Sequence, residues 1–399
     1  MSLIKEAKLF VKTLRNDKFL YEDAILHGIR KRRAFWGISG KIDSLAHSSV
    51  FQCLLIAFFP FLLMMYVIIE FLRTTIRIKN IKKVTLTDDS YFIAATIFSR
   101  SINNRINKHI GDACWILNCN DSPEKYEIKS GKYVSCYQLV SVSDALSSGI
   151  ETIIAYVLIC KQYGTFYMLD TINAFTWFLF YRACENIPEN SKIFFFDHKD
   201  RWAFLENQIC CKHKTLIQHG TEIISCSEND AIKRGLISIH AGGFAQNMPN
   251  KYTTIDCVIS FSEKEKEAMK LSILDCEPEF TIIGFDFETY SLDSNRYSVL
   301  IIAHSGLYFE KEASIIKSLQ NLDVDIYVKN HPTQSNEGYY ELLKNNTFTF
   351  ITEQKFPHVN IVITYDSTLA HEYKSVGIEV MYHTQYSEEE IRNRIITQL

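Results

Sequence analysis

The chain has almost no net charge, no regularly spaced cysteines, and neither an internal repeat nor a low-complexity tract. Each lack removes a class of protein. Its 399 residues carry 43 Lys and Arg against 46 Asp and Glu, a net charge of −3. No overall basic field therefore exists to hold a nucleic acid backbone, and any bound anion needs a local site. Eleven cysteines form an odd set without framework spacing. That excludes full disulfide stapling and points to reduced thiols in a cytosolic setting, most of them buried as small apolar residues. Lys5, Glu6, Lys8 and Lys12 interrupt the opening residues, so no cleaved secretory signal is expected and the mature chain is expected to start near Met1.

What is present is enough apolar material for full cores, 47% of residues, over a length that suggests two or three domains. From Val50 to Ile69 every residue but Gln52 is apolar, and about twenty such residues suffice to cross a hydrocarbon core. Basic residues flank the run on both sides, Arg30 to Arg33 and Lys41 before it, Arg73, Arg77, Lys79, Lys82 and Lys83 after it. With Pro60 near the centre, the segment reads as a monotopic or interfacial anchor, either a broken helix that dips and returns or a helix lying along the headgroups. A single span is the next reading, and a core helix packed under the N-terminal domain is the bland one.

Residues 1–49 read as amphipathic helices packed beside this anchor. After Lys83, short β-rich runs alternate with helical stretches: Trp115 to Leu117, Tyr133 to Tyr137, Lys192 to Phe196 and Thr215 to Gln218, with helices at 172–184 and 202–211. A second series begins near Ile255, with strands expected at 257–261, 280–283, 299–303, 325–329, 348–351, 361–364 and 379–382. Its helices include 263–271, opened by a Ser262/Glu265 capping box, 310–322, and a terminal helix opened by Ser387 and Glu390. The expected organisation is a helical region over 1–83 with its membrane-associating segment at 50–69, an acceptor domain over 84–245 and a nucleotide-donor domain over 246–399. Two α/β domains in series place polar ligands in a cleft outside the strand ends.

Three motifs sit at such ends. In Lys214-Thr-Leu-Ile-Gln-His-Gly-Thr-Glu, an apolar strand delivers His219 and Gly220. Imidazole can accept the proton of a hydroxyl nucleophile near neutral pH, Gly220 permits a sharp turn or close ligand approach, and Glu222 either orients the histidine or is itself the base. A sheet-capping histidine fits the same spacing. Tyr327-Val-Lys-Asn-His-Pro-Thr brings Lys329 and His331 to a strand end that Pro332 terminates. These groups, with backbone N–H groups of the next helix, suit the charge of a departing nucleotide phosphate without a metal, whereas a plain strand terminator is the structural alternative. Ile361-Val-Ile-Thr-Tyr-Asp-Ser-Thr-Leu-Ala-His-Glu places Ser367 and Thr368 at a helix entrance, where they donate to phosphate or simply cap, and Glu372 one turn on can accept ribose hydroxyls.

The order QHGTE, SEKEKE, IIGFD, KNHP, TYDSTLAHE over roughly residues 190–383 resembles that of bacterial surface-polysaccharide transferases of the GT-B architecture. That grouping takes in capsule Kdo transferases, polysialyltransferases and CDP-glycerol glycerophosphotransferases. The resemblance implies two Rossmann-like domains facing a cleft, nucleotide-phosphate contacts from His331-Pro332 and Ser367-Thr368, and an acceptor-facing role for His219 and Gly220. It also favours a cytidine-type donor. The first domain lacks the acidic pair followed by glycine that polysialyltransferases use, and Thr221-Glu222-Ile223 differs from the usual continuation in the glycerophosphotransferases.

Other signals are read as structural. Asp323-Val-Asp325 begins a strand and is expected on the surface. The Cys210-Cys211-Lys-His213 and Cys114/Cys119 sets lack paired zinc spacing, and His240-Ala-Gly-Gly243 reads as an interdomain hinge. His304, heading the crossover after strand 299–303, is a secondary donor-side candidate. The resulting expectation is a membrane-associated, metal-independent glycosyltransferase of capsule or other cell-surface polysaccharide synthesis, at the cytoplasmic face of the inner membrane. Its partners would be a nucleotide-sugar donor and a polysaccharide or lipid-linked acceptor, with no cofactor and no nucleic acid. A glycerophosphotransferase, a nucleotide-sugar epimerase and a non-catalytic polysaccharide-binding protein are the alternatives.

Overall fold

The computed structural model describes residues 3–26, 49–95, 107–119, 132–240, 242–285, 287–331, 335–352, 356–365 and 367–399. The chain forms two compact units, one of Met1–Gln218, Asn247–Ile259 and Ser272–Thr281, the other of His219–Gln246, Ser260–Leu271 and Ile282–Leu399.

The first unit opens with helix α1 (Leu3–Leu26) and helix α2 (Ser49–Asn80). Ala7, Phe10, Val11 and Leu14 recur at helical spacing and are buried, with Phe10 edge-on to Trp177 at 5.4 Å. Burying the three larger side chains, Phe10, Val11 and Leu14, stabilises by roughly 1.5–3 kcal/mol each. Helix α2 is one continuous helix with Pro60 inside it. Phe59, Leu63 and Val67, four residues apart, are its buried stripe and pack on Met168. The opposite side is open: Phe58 is 58% exposed and Phe61 65%. A buried core helix, the bland reading of this run, is therefore not what forms.

Strands β1 (Ser90–Ala94), β2 (Cys114–Leu117) and β3 (Tyr133–Ser135) follow, then α3 (Val142–Tyr163), α4 (Ala174–Cys184), β4 (Lys192–Phe195), α5 (Arg201–Asn207) and β5 (His213–Ile217). A hairpin of β6 (Ile237–Ser238) and β7 (Phe244–Ala245) precedes β8 (Cys257–Ser260), α6 (Glu263–Ser272) and β9 (Glu279–Ile282). Among the described residues the first sheet has seven strands in the order β3-β2-β1-β4-β5-β8-β9, and the pairings from β3 to β8 are parallel. The strands at 257–261 and 280–283, expected to open the second series, thus complete the first sheet. Local apolar patterning identifies a strand but not the neighbour it pairs with, and β8 pairs with β5 across the excursion of residues 218–256.

That excursion includes 219–246, expected in the acceptor domain, which clusters instead with the second unit. Its Gly242-Gly243 pair is the turn of the β6–β7 hairpin rather than an interdomain hinge. Gly243 has φ +101°, and a Cβ there would meet Ile223 Cγ2 at 2.7 Å, so only glycine fits. The cysteines also depart from expectation: all eleven are free thiols, yet only Cys114, Cys119, Cys136 and Cys184 are buried.

The second sheet is β12 (Thr349–Phe350), β11 (Val324–Asn330), β10 (Tyr297–Ala303), β13 (Ile361–Thr364) and β14 (Glu379–Tyr382) in that spatial order, all parallel. Helices α7 (Ser305–Leu319), α8 (Thr368–Ser375) and α9 (Glu388–Ile396) complete the unit. Val299, Ile301 and Ala303 pack on one side with Ile315, Leu319, Ile391 and Ile395, while Leu300, Ile302 and Val362 pack on the other with Tyr373. A sheet covered on both faces explains the unbroken apolar runs of β10 and β13. The Ser387/Glu390 box forms as expected, with both reciprocal hydrogen bonds present. Asp323 and Asp325 pair with Arg296 at 2.6 and 3.1 Å on the surface.

Candidate functional site

Strand order in the second sheet reverses between β10 and β13: from β10 the chain winds outward to β11 and β12, then returns to the other side for β13 and β14. Loops leaving two such strands diverge and open a crevice at their carboxyl ends, the usual ligand position in a doubly wound sheet. The polar candidates of the second unit gather at these ends. His304 follows β10, His331 follows β11, and Tyr365 with Ser367 follows β13. The His304 and His331 rings lie 5.1 Å apart, and His304 meets Tyr365 edge-on at 5.5 Å.

The pair is held from behind by two residues outside the set of candidates read from the motifs. Asn330 is buried, and its side-chain oxygen accepts the backbone N–H groups of Ser305 and His331, both at 3.0 Å, while its amide donates to the Ser335 carbonyl at 2.9 Å. Glu312, fully buried on α7, accepts the His304 N–H with both oxygens, at 3.0 and 3.2 Å, and also the Tyr339 hydroxyl. His383, equally buried after β14, brings Nε2 to 3.3 Å from Glu312. The turns bearing both imidazoles are therefore fixed by buried hydrogen bonds, each of which leaves an expensive orphan if broken.

Burial lowers the His331 pKa below its ordinary value, and the neighbouring His304 lowers it further. These surroundings favour neutral imidazole, and a phosphate beside it would reverse that preference. Lys329 alternates to the sheet face opposite Asn330, where its ammonium lies over the Phe356 ring at 5.3 Å, and burial lowers its pKa too. Pro332 and Asp366 lie outside the described residues.

Ser367 is the N-cap of α8, its hydroxyl accepting the Ala370 N–H at 3.3 Å and lying 3.4 Å from the Thr364 hydroxyl. The capping alternative for Ser367 is thus realised. Thr368 is differently engaged: its Oγ1 accepts the Thr221 N–H at 3.3 Å, and a Cβ on Gly220 would stand 3.7 Å from the same oxygen. Gly220 is not among the glycines with positive φ, and 3.7 Å is an ordinary van der Waals contact, so neither backbone strain nor crowding within the described residues requires a glycine there. The His219 to Glu222 segment is pinned by Glu265, which is buried and accepts the Thr221 hydroxyl and, at 2.8 Å, the Glu222 N–H. Glu265 also donates its own backbone N–H to Ser262 Oγ at 3.2 Å, the hydroxyl half of the expected box.

His219 is part-exposed, whereas Glu222 is 2% exposed. Of the two base candidates, only the imidazole is presented to solvent in this conformation. Glu372 faces inward at 8% exposure. No known protein-family profile matches the chain, and no curated protein does. Solved structures do resemble it. MurG of Acinetobacter baumannii is 9% identical over 78% of this chain and 90% of its own, with a TM-score of 0.35. CalG4, the calicheamicin glycosyltransferase, is 9% identical over 78% and 90%, with a TM-score of 0.39. A UDP-forming α,α-trehalose-phosphate synthase from Burkholderia xenovorans is 8% identical over 73% and 84%, with a TM-score of 0.35.

The sequence motifs picked out His304, His331, Ser367, Thr368 and the 219–222 segment. They missed Asn330, although it stands inside the Lys-Asn-His-Pro run, as well as Glu312, Tyr365 and His383. Glu312 had one available signal: it lies eight residues beyond His304 on the inward side of a helix, where a carboxylate must have partners to be tolerated.

Proposed function

We propose that the protein is a membrane-associated glycosyltransferase that takes a nucleotide-activated sugar and extends a capsule or other cell-surface polysaccharide. The observation that carries this reading is the adjacent His304 and His331 pair, locked by Asn330 and Glu312 at the strand-order reversal, where an anionic ligand is expected to dock. In the proposed reaction His219 takes the proton of an acceptor hydroxyl as its oxygen bonds to the sugar's anomeric carbon. The bond from that carbon to the phosphate oxygen breaks, and its electron pair leaves with the nucleotide. His304, His331, Thr368 and the start of α8 would stabilise the charge that develops there, so that no metal is required. Lys329 adds positive charge at longer range, Pro332 ends the His331 strand, and Glu372 would meet the ribose once the inward-facing side chain is uncovered. A cytidine-type donor is favoured by the motif resemblance alone.

Membrane association is supported by the open apolar side of α2 and by the basic residues at its C-terminal end and just beyond it, Arg73, Arg77, Lys79, Lys82 and Lys83. The cytoplasmic face of the inner membrane follows, because nucleotide-activated donors are made in the cytoplasm. The test is turnover of CMP-, CDP- and UDP-linked sugars by the purified protein with membrane extract as acceptor, with and without EDTA. Product from one donor class, undiminished by EDTA, supports the proposal. Absence of turnover with every class would remove the transferase reading, and loss with EDTA would remove its metal-free form.

A further inference from the structure

Helix α1 carries Lys8, Lys12, Arg15 and Lys18 along one side. With Leu158, Gln162 and Tyr163 of α3 this side encloses a groove of about 740 Å³. The groove has a single carboxylate, Glu22, which sits 3.6 Å from Lys18. Lys8, Lys12 and Arg15 have no carboxylate within ion-pair distance among the described residues. A concentration of positive charge in a chain of net charge −3 runs against its overall composition. None of these residues belongs to the donor site.

The groove's neighbours indicate what fills it. On α3, Leu146, Ile150 and Val157 are 53%, 41% and 58% exposed and fall on one stripe at helical spacing. One flank of that stripe leads to the buried Gly149, where a Cβ would stand 3.1 Å from Val67 Cγ1, so α3 packs closely on the buried stripe of α2, the helix that also exposes Phe58 and Phe61. The other flank leads to Leu158 and Gln162, the wall of the groove. Apolar residues from two helices are thus bordered by a cationic trough within one unit. This is the order of chemistry met on passing from acyl chains to anionic headgroups.

We propose that the α1–α3 groove is a binding site for the phosphate headgroup of an anionic membrane lipid. The inference rests on the membrane reading above and names the site by which that contact becomes selective. In the bound state lysine and arginine stems would run along the groove's Leu158, Tyr163 and Phe19, and their charged ends would meet the phosphodiester. Lys12 and Lys18 already lie over aromatic rings, Phe204 at 5.3 Å and Tyr163 at 5.6 Å, which limits the side-chain freedom lost on binding.

The test is binding of the full-length protein to vesicles of phosphatidylcholine alone and of phosphatidylcholine and phosphatidylglycerol in equal parts. The wild type should bind the second roughly ten-fold or more tightly. Lys12→Gln/Arg15→Gln should lose most of that preference while still binding phosphatidylcholine through α2 and α3. Lys8→Gln/Lys18→Gln provides a second pair should the first unfold, and thermal unfolding reports on both. A variant that keeps the full preference would overturn the proposal, as would a wild type that binds both vesicles equally, and either result leaves the membrane reading standing. A wild type that binds neither vesicle would remove both. If soluble glycerol phosphate at millimolar concentration abolishes the preference, the groove takes a free phosphate ester and the lipid assignment fails.

Discussion

The two sheets share their winding and differ at their carboxyl ends. Each is ordered third, second, first, fourth and fifth strand, with two more strands added to the first. In the second sheet the residues after β10 and β11 present part-exposed imidazoles held by a buried shell. In the first, the residues after β4 are consumed by structure. Asn16 of α1 donates to the Lys199 carbonyl at 2.9 Å, Asp17 pairs with Arg201 at 2.7 Å, and Tyr252 donates its hydroxyl to the Asp197 carbonyl at 2.5 Å. His198 is buried there, with Nε2 3.4 Å from the Ile217 carbonyl. A histidine at a strand end is therefore not a site by position alone. What separates His331 from His198 is whether another element covers the end.

The comparison is broken most forcefully by removing the cover. Phe10→Ala, which empties the α1 contact with Trp177, should destabilise by about 3–5 kcal/mol in denaturant unfolding. Turnover per folded molecule should be retained, since α1 serves the closed end and not the reaction. A smaller loss would mean that α1 is only loosely docked. On the open end, His331→Ala and His304→Ala should each lower product formation by roughly 10²–10³-fold with the fold retained. His198→Ala should leave turnover per folded molecule unchanged. Equal losses from all three would erase the distinction between the ends.

A gentler probe uses Asp200, the N-cap of α5, whose pKa is pushed up to about 6 from 3.8, chiefly by burial and then by Asp17. The folded state holds that proton more tightly than the unfolded chain. Its contribution to stability is thus complete below about pH 3.8 and lost as pH rises through about 6. Asp200→Asn keeps an oxygen for the Trp202 N–H, now accepted at 2.8 Å, and cannot ionise. The variant should match the wild type near pH 4 and exceed it by roughly 1–2 kcal/mol near neutrality. A constant difference across that range would show that Asp200 does not titrate with folding.

Much of the second sheet is legible in the sequence because each strand is a compact apolar run bounded by turn residues, as in Val299 to Ala303 and Ile361 to Thr364. The first sheet is less so. The interior strand β1 is only five residues long and starts with the polar Ser90, and α3 opens with serines and Gly149 that weaken its helical pattern. Sheet membership of β8 and β9 depends on pairing across the excursion from 219 to 246, which no local pattern encodes. In the site, residues that face a ligand are chemically conspicuous, as His331 is. Residues that hold them, such as Asn330 and Glu312, become visible only when distant segments are brought together.

The central claim is that the open end of the second sheet receives nucleotide phosphate, and calorimetric titration of CDP and UDP into the wild type and His331→Ala tests it most directly. Because burial and His304 depress the His331 pKa, a phosphate that prefers the imidazolium should draw in a proton, so affinity should strengthen as pH falls from 8 to 6. Stoichiometric binding with that pH trend, weakened at least roughly ten-fold by His331→Ala, is the predicted result. Nucleotide binding that is indifferent to both the substitution and the pH would contradict it.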